Sequence, residues 1–308
     1  MRIDDRALAF VRIMAAGLAF CSIEFDSGAP AALRLLLELG TYGLLLAIFF
    51  GYRTRYAALG AWLVISLSGV QGVAELDAGV AGLIALLTCL RCSHAWSFDS
   101  ALNWVGEAGG SPLNWGSVVY LTQLVLVVVA AQLHDGDANL VVVAVASGMA
   151  VILLLPPAVL KALARWSARY HGNELQIYYD RDCGFCLKTC LLFRTFLLLG
   201  NTPIRAAQSD PKIGRILEEQ NSWVVIDRDG SIALHWHAVL LVMRRSLIAR
   251  PVGLALTAVG MGRWGRGLYD AIGNSRGVLS KVSAAVLPLR SEGPQQAADW
   301  HQFAIVWL

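Results

Sequence analysis

The sequence predicts an α-helical membrane bundle of about six transmembrane helices followed by an α/β domain, and three observations carry that prediction. The chain of 308 residues is 56% hydrophobic and only 15% charged, with a mean hydropathy of +0.57. The apolar mass is concentrated in residues 1–160, which contain no lysine; Lys161 is the first. Beyond residue 174 the pattern changes to short β-prone runs alternating with helical ones, the signature of an α/β layer.

Six apolar stretches, at 7–23, 31–51, 56–73, 78–92, 116–133 and 138–160, are separated by polar breaks. Several approach the ~20 residues a helix needs to cross a bilayer, and the fourth is short. The first carries Arg12 and lacks a small-residue cleavage site, which argues against a cleavable signal peptide. Acidic turns hold Glu24 and Asp26, Glu75 and Asp77, and Asp135 and Asp137. The opposite ends carry Arg2 and Arg6, Arg53 and Arg55, Arg91, and then Lys161, Arg165 and Arg169. Basic residues stay on the cytoplasmic side, so both termini are expected there. Within the stretches, Arg34 and Glu38 have the spacing of a helical ion pair. Gln71 and Gln123 suit interhelical hydrogen bonds. Trp62, Trp96, Trp104 and Trp115 suit interfacial anchoring.

The chemistry-bearing motif is Tyr178-Tyr179-Asp180-Arg181-Asp182-Cys183-Gly184-Phe185-Cys186. A β-prone run from Leu175 enters a Cys-x-x-Cys, and a helical run to Leu199 follows. The free N–H groups and positive dipole end of a helix stabilise a thiolate, which is the nucleophile in thiol chemistry. Cys183 falls at the helix start, and Cys186 one turn deeper on the same face can close a disulfide. Half of a zinc site is an alternative, with His235 and His237 on an expected strand as further ligands. An inert pair is another. Cys190 reads as a small buried apolar residue. Asp180 has two readings: a proton acceptor for Cys186, or a turn and helix cap. A second Cys-x-x-Cys, Cys89 and Cys92, lies at the end of the fourth stretch. There it is either a secondary redox pair, with a membrane quinone as far partner, or two packing residues.

The remaining order is strand 175–179, helix 185–199, strand 203–207, helix 211–219, strands 223–227 and 231–235 around Asp229-Gly230, and helix 237–247. Such alternation ending in a hairpin fits a thioredoxin-like layer. The expected organisation is therefore a membrane domain at 1–160, a basic membrane-surface connector at 161–173, the Cys-x-x-Cys domain at 174–278 and a tail at 279–308. Residues 251–262, flanked by Arg250, Arg263 and Arg266, are too short to span and suit either a membrane surface or packing on the domain core. No nucleotide fingerprint or Ser-His-Asp arrangement stands out, and the net charge of +3 is concentrated near the expected membrane, which argues against nucleic-acid binding.

Two family resemblances follow from these residues. Tyr-Asp-x-x-Cys-x-x-Cys after a strand, the segment Trp223-Val224-Val225-Ile226-Asp227-Arg228-Asp229-Gly230, and the closing Leu268-Tyr269-Asp270…Asn274-Ser275-Arg276 resemble, in order, the DCC family of thiol-disulfide oxidoreductases. Arg181 stands where that family usually has Gly, and Ser222 where thioredoxins place a cis-proline. Gly51-Tyr52-Arg53-Thr54-Arg55 and Trp96-Ser97-Phe98-Asp99 resemble the HTTM family, the membrane domain related to vitamin K-dependent γ-carboxylase. The carboxylase base is a lysine, and this half has none, so carboxylation does not carry over. An HTTM domain fused to a DCC domain is a bacterial arrangement, so the resemblances imply a protein of the bacterial inner membrane, and the positions of the basic residues put its redox domain in the cytoplasm. Its expected partners are a disulfide-containing protein or small molecule and membrane lipid. Dithiol exchange by Cys183 and Cys186, with Asp180 beside them, requires no cofactor or metal. A lipid- or quinone-binding or transport module carrying a redox switch is the alternative.

Overall fold

The computed structural model describes residues 2–26, 30–70, 74–75, 78–90, 92–102, 111–112, 115–133, 138–160, 162, 175–199, 202–246 and 248–289. Two compact units emerge: Met1–Ser100 with Val105–Leu160, and Ala101–Trp104 with Lys161–Leu308.

The first unit contains α1 (Asp5–Ser22), α2 (Ala31–Phe50), α3 (Thr54–Val70), α4 (Ala78–Leu86) running into a 3-10 turn at Leu87–Cys89, the short α5 (Phe98–Ala101), α6 (Trp115–Leu133) and α7 (Ala138–Leu154). Asp4 caps α1 by accepting from Arg6 N–H at 2.9 Å. Two-residue strands close the ends of the helices: β1 (Arg2–Ile3) pairs with β4 (Ser111–Pro112), and β2 (Glu24–Phe25) with β3 (Ala74–Glu75), both antiparallel. The core is built on α1, whose Leu8, Val11, Ala15 and Ala19 pack with Leu45, Ile48, Leu83, Ile84 and Leu124.

This arrangement corrects the expectation of six membrane-crossing helices. Among the described residues only α2 is long and apolar enough to cross a bilayer, with a mean hydropathy of 1.8 and 17% of its most apolar window buried. The apolar helices at Gly79–Cys89, Ser117–Val129 and Val141–Leu154 are shorter than a span. α1 carries Asp5, Arg6 and Arg12 and is largely buried, so its apolar residues are explained by packing. Hydropathy alone counts apolar residues without saying whether lipid or protein covers them. With six spans removed, the alternation of acidic and basic turns no longer sets an orientation.

In the second unit, β5 (Gln176–Tyr179), α8 (Gly184–Phe196), β6 (Ile204–Ala206), a 3-10 turn at Ala207–Ser209, α9 (Pro211–Gln220), β7 (Val224–Ile226) and β8 (Ile232–Leu234) follow one another. The sheet order is β6-β5-β7-β8, with β5 parallel to β6 and antiparallel to β7. The hairpin between β7 and β8 turns on Gly230, whose φ of +81° favours glycine. Asp210 caps α9, accepting from Lys212 N–H at 2.9 Å, with Pro211 in the first turn. One side of the sheet meets α8 and α10 through Ile177, Tyr179, Cys186, Cys190, Val225 and Val242. The other carries Tyr178, Val224, Ile213 and Leu217.

The expectation of a thioredoxin-like α/β layer is corrected too. The sheet is small and mixed, its strands three or four residues long, in a chain that is mostly helical. After the hairpin four helices run consecutively: α10 (His235–Arg245), α11 (Arg250–Ala258), α12 (Gly262–Asn274) and α13 (Arg276–Val286). His235 and His237, expected on a strand, open α10 instead, so they do not alternate as ligands along a strand. Nearly all of the connector at 161–173 and the tail beyond residue 289, with Gln71, Trp104, Arg91, Asp77, Asp135 and Asp137, lie outside the described residues.

Candidate active site

The sequence from Gln176 folds into a strand because Ile177 and Tyr179 bury one face and Tyr178 the other. The chain then leaves the sheet in a turn in which Cys183 N–H donates to Asp180 O at 3.1 Å. Cys183 is extended, with φ −104° and ψ 91°, and stands at the N-cap of α8. Its carbonyl accepts from Cys186 N–H at 2.9 Å, and its sulfur accepts from the same N–H at 3.3 Å. Cys183 and Cys186 are joined in a disulfide with a Cα–Cα separation of 5.3 Å. Cys183 retains 8% of its surface and Cys186 1%, so the helix-start sulfur is the one nearer to solvent.

Asp180 is held by the turn. Its Oδ1 accepts from Asp182 N–H at 3.2 Å and from Gln208 Nε2 at 2.8 Å. Gln208 Oε1 in turn accepts from Arg181 N–H at 3.1 Å, so one side-chain amide grips two successive residues ahead of the cysteines. The sequence offered no sign of Gln208; it reaches the turn because β6 runs parallel beside β5 and delivers the next residues abreast of Asp180.

Behind the cysteines, α8 carries Cys190, fully buried, its thiol pushed up by desolvation. Such a thiol is a packing residue at neutral pH. Lys188 is also buried, and desolvation holds its ammonium below the ordinary lysine range. Lys188 Nζ donates to Ser283 O at 2.9 Å, and a Cβ built on Gly184 would lie 3.7 Å from Ser280 Oγ. Helix α13 therefore lies along the first turns of α8.

The segments singled out near residues 223 and 269 meet each other. Tyr269 Oη accepts from Trp223 N–H at 2.9 Å and sits 3.3 Å from Ser222 Oγ. Ser222 Oγ accepts from His235 N–H at 2.5 Å, and His235 has a φ of +51°, uncommon for a residue with a side chain. Arg276 donates to Asn221 Oδ1 at 2.8 Å and to Asn221 O at 2.9 Å. Trp223 packs in the same core as the disulfide, its ring edge-on to Phe193.

The second pair is not joined. Cys89 is exposed at the end of its 3-10 turn, and Cys92 is buried with its sulfur 3.8 Å from Leu87 O. Leu90 is extended, φ −97° and ψ 150°, so the two cysteines do not share one continuous helix. In the same unit the segments Gly51–Arg55 and Trp96–Asp99 come together. Asp99 Oδ1 accepts from Arg53 N–H at 2.7 Å at the start of α3, and Ser93 Oγ donates to Thr54 Oγ1 at 2.7 Å. Arg12, fully buried, donates to Cys92 O at 2.7 Å and Trp96 O at 2.5 Å. Gly51, at φ +69°, ends α2 where a Cβ would overlap that guanidinium. Arg34 Nε and Glu38 Oε1 pair at 2.7 Å, and Gln123 Nε2 donates across helices to Gly79 O at 3.2 Å, as their spacing and polarity suggested. The indole N–H of Trp96 is buried, and Trp62 packs against the core.

Among the described residues no group of three or more His, Cys, Asp or Glu side chains is placed to hold a metal. No family model, no curated protein and no solved structure matches the chain.

Proposed function

We propose that the chain is a thiol-disulfide oxidoreductase acting through Cys183 and Cys186. The observation that carries this reading is a disulfide closed across the first turn of a helix, with the more exposed sulfur at the N-cap. A thiolate at that position is stabilised by the helix dipole and by the N–H of Cys186. In the reduced form the Cys183 thiolate attacks one sulfur of a substrate disulfide. The substrate S–S bond breaks, its other sulfur leaves as a thiolate and takes a proton from water, and a mixed disulfide remains on Cys183. Cys186, deprotonated, then attacks the Cys183 sulfur, releasing the second substrate thiol and leaving the Cys183–Cys186 disulfide. A dithiol donor restores the pair by the same exchange. The resemblance of the 178–186, 223–230 and 268–276 segments to DCC oxidoreductases supports the same assignment.

The chain is placed at the membrane in this reading. The support is α2, whose Leu35, Leu36, Leu39, Leu46 and Phe50 are exposed along a helix long enough to cross. In a reducing compartment the pair works in the reductive direction.

The test is the full-length Cys186→Ser variant, reduced and then mixed with a small aromatic disulfide. A stable adduct on Cys183, absent in Cys183→Ser, together with disulfide reduction by the unsubstituted chain, is the expected result. No adduct and no turnover would make the disulfide a structural staple.

A further inference from the structure

We infer that α12 and α13 form a docking face for an anionic lipid surface. The reason is that α13 is mounted inside out. A helix at the surface of a protein that meets only water buries its apolar stripe and exposes its polar one. In α13 two serines are turned onto the protein beside the partly covered Leu279: Ser283 is buried against Lys188, and Ser280 lies beside Gly184. Val278 and Val282, four residues apart on one face, are 67% and 54% exposed. Helix α12 shows the same excess. Gly265 and Tyr269 face inward, the first beneath the Trp236 ring and the second on Ser222 and Trp223. Trp264 and Leu268, again four apart, are left 81% and 57% exposed. The apolar arc of each helix is wider than, or displaced from, the arc that the fold covers.

Charge selects the occupant. Residues 250–286 carry Arg250, Arg263, Arg266, Arg276 and Lys281 against Asp270 alone, a formal charge of five minus one, or +4. Arg266 and Lys281 are exposed on the same two helices as the open stripes. Lys281 lies next to Val278 on the helix surface, and an apolar face in a basic segment carrying an exposed tryptophan matches the headgroup region of an anionic bilayer, where cations meet phosphate and the indole ring settles at the interface. This inference does not depend on the redox chemistry of Cys183.

The test uses the full chain with a benzophenone amino acid in place of Trp264 or, separately, Val282. The protein is reconstituted in phosphatidylcholine alone or in a phosphatidylcholine–phosphatidylglycerol mixture and illuminated. The expected product at both positions is a single-phospholipid adduct, several-fold more abundant in the mixture and reduced by salt. Arg266→Glu with Lys281→Glu should lower that adduct several-fold while the hydrogen-exchange protection of the α8 amides, which reports that the unit remains folded, is unchanged. A cross-linked dimer, an adduct to residues 290–308, no adduct, or equal lipid labelling from the exposed α9 position Glu218 would each overturn the inference.

Discussion

Lys188 Nζ donates to the carbonyl oxygen of Ser283 at 2.9 Å, so a buried ammonium ties the cysteine-bearing helix α8 to α13. The same carbonyl accepts from Leu287 N–H at 2.9 Å within its own helix, so it keeps a partner if the lysine is removed. Gln208 grips the turn that leads into α8, Ser283 holds Lys188 within it, and Ser280 lies beside Gly184 at its start.

The lysine makes stability depend on pH in a definite direction. Desolvation lowers its affinity for the proton below the ordinary value of 10.5. Between the lowered folded value and 10.5 the unfolded chain holds a proton that the folded chain has released, so unfolding free energy rises with pH in that window. The penalty is complete below the folded value and gone above 10.5. Lys188→Met removes the titrating group. The expected result is a stability gap between variant and parent that closes as pH rises toward about 10.5. Hydrogen exchange of the α8 amides, corrected for intrinsic rates, measures it; a gap independent of pH would show that the ammonium is solvated.

Asp180 separates two roles by a single substitution. In Asp180→Asn the side-chain oxygen that Asp182 N–H and Gln208 Nε2 donate to is preserved, but no base remains. Both contacts belong to the turn, so disulfide reduction should stay within about threefold of the parent. A loss on the order of 10²–10⁴-fold would make Asp180 the proton acceptor for Cys186. Gln208→Ala should instead loosen the turn, costing about 1 kcal/mol and speeding exchange at Arg181 and Asp182 N–H.

The Tyr269 and Arg276 contacts look alike on paper and should differ in weight. Tyr269 Oη satisfies the N–H of Trp223, a buried residue, so Tyr269→Phe leaves that donor without a partner and should cost about 1–3 kcal/mol. Arg276 meets Asn221 at the exposed surface, where water replaces the lost partners, so Arg276→Ala should cost under about 1 kcal/mol. Denaturant midpoints of the two variants give the comparison, and equal costs would place Asn221 in a drier setting than its exposure indicates.

Local chemistry was legible in the sequence where it depends on neighbours in the chain. The strand before Cys183, the helix after it, the Asp229-Gly230 turn and the Arg34–Glu38 pair are all read from spacing. Contacts that depend on which elements lie side by side were not. Gln208 reaches Asp180 across a parallel strand pair, and Lys188 looks like a surface residue until α13 covers it. Arg12 argued only against a signal peptide, yet it gathers two carbonyls of the connection between Cys89 and Phe98. The six spans failed for the related reason that an apolar helix such as α1 looks the same whether its cover is lipid or protein.

Cys89 and Cys92 offer a last discrimination, between a redox relay and two residues that happen to be close in sequence. A relay needs both sulfurs to meet. Cys92 points back toward Leu87 O inside the core, while Cys89 is exposed beside Thr88 Oγ1. Bringing them together would require the extended Leu90 to refold and the core around Cys92 to open. A small maleimide added to the folded protein should therefore label Cys89 at once and Cys92 only after denaturation. Cys89→Ser should leave the ratio of oxidised to reduced Cys183–Cys186 unchanged in membranes supplied with a dithiol donor. In Cys92→Ser the buried hydroxyl can still donate to Leu87 O, so the variant folds and gives the same answer. A shift of the Cys183–Cys186 ratio in both variants would establish the relay.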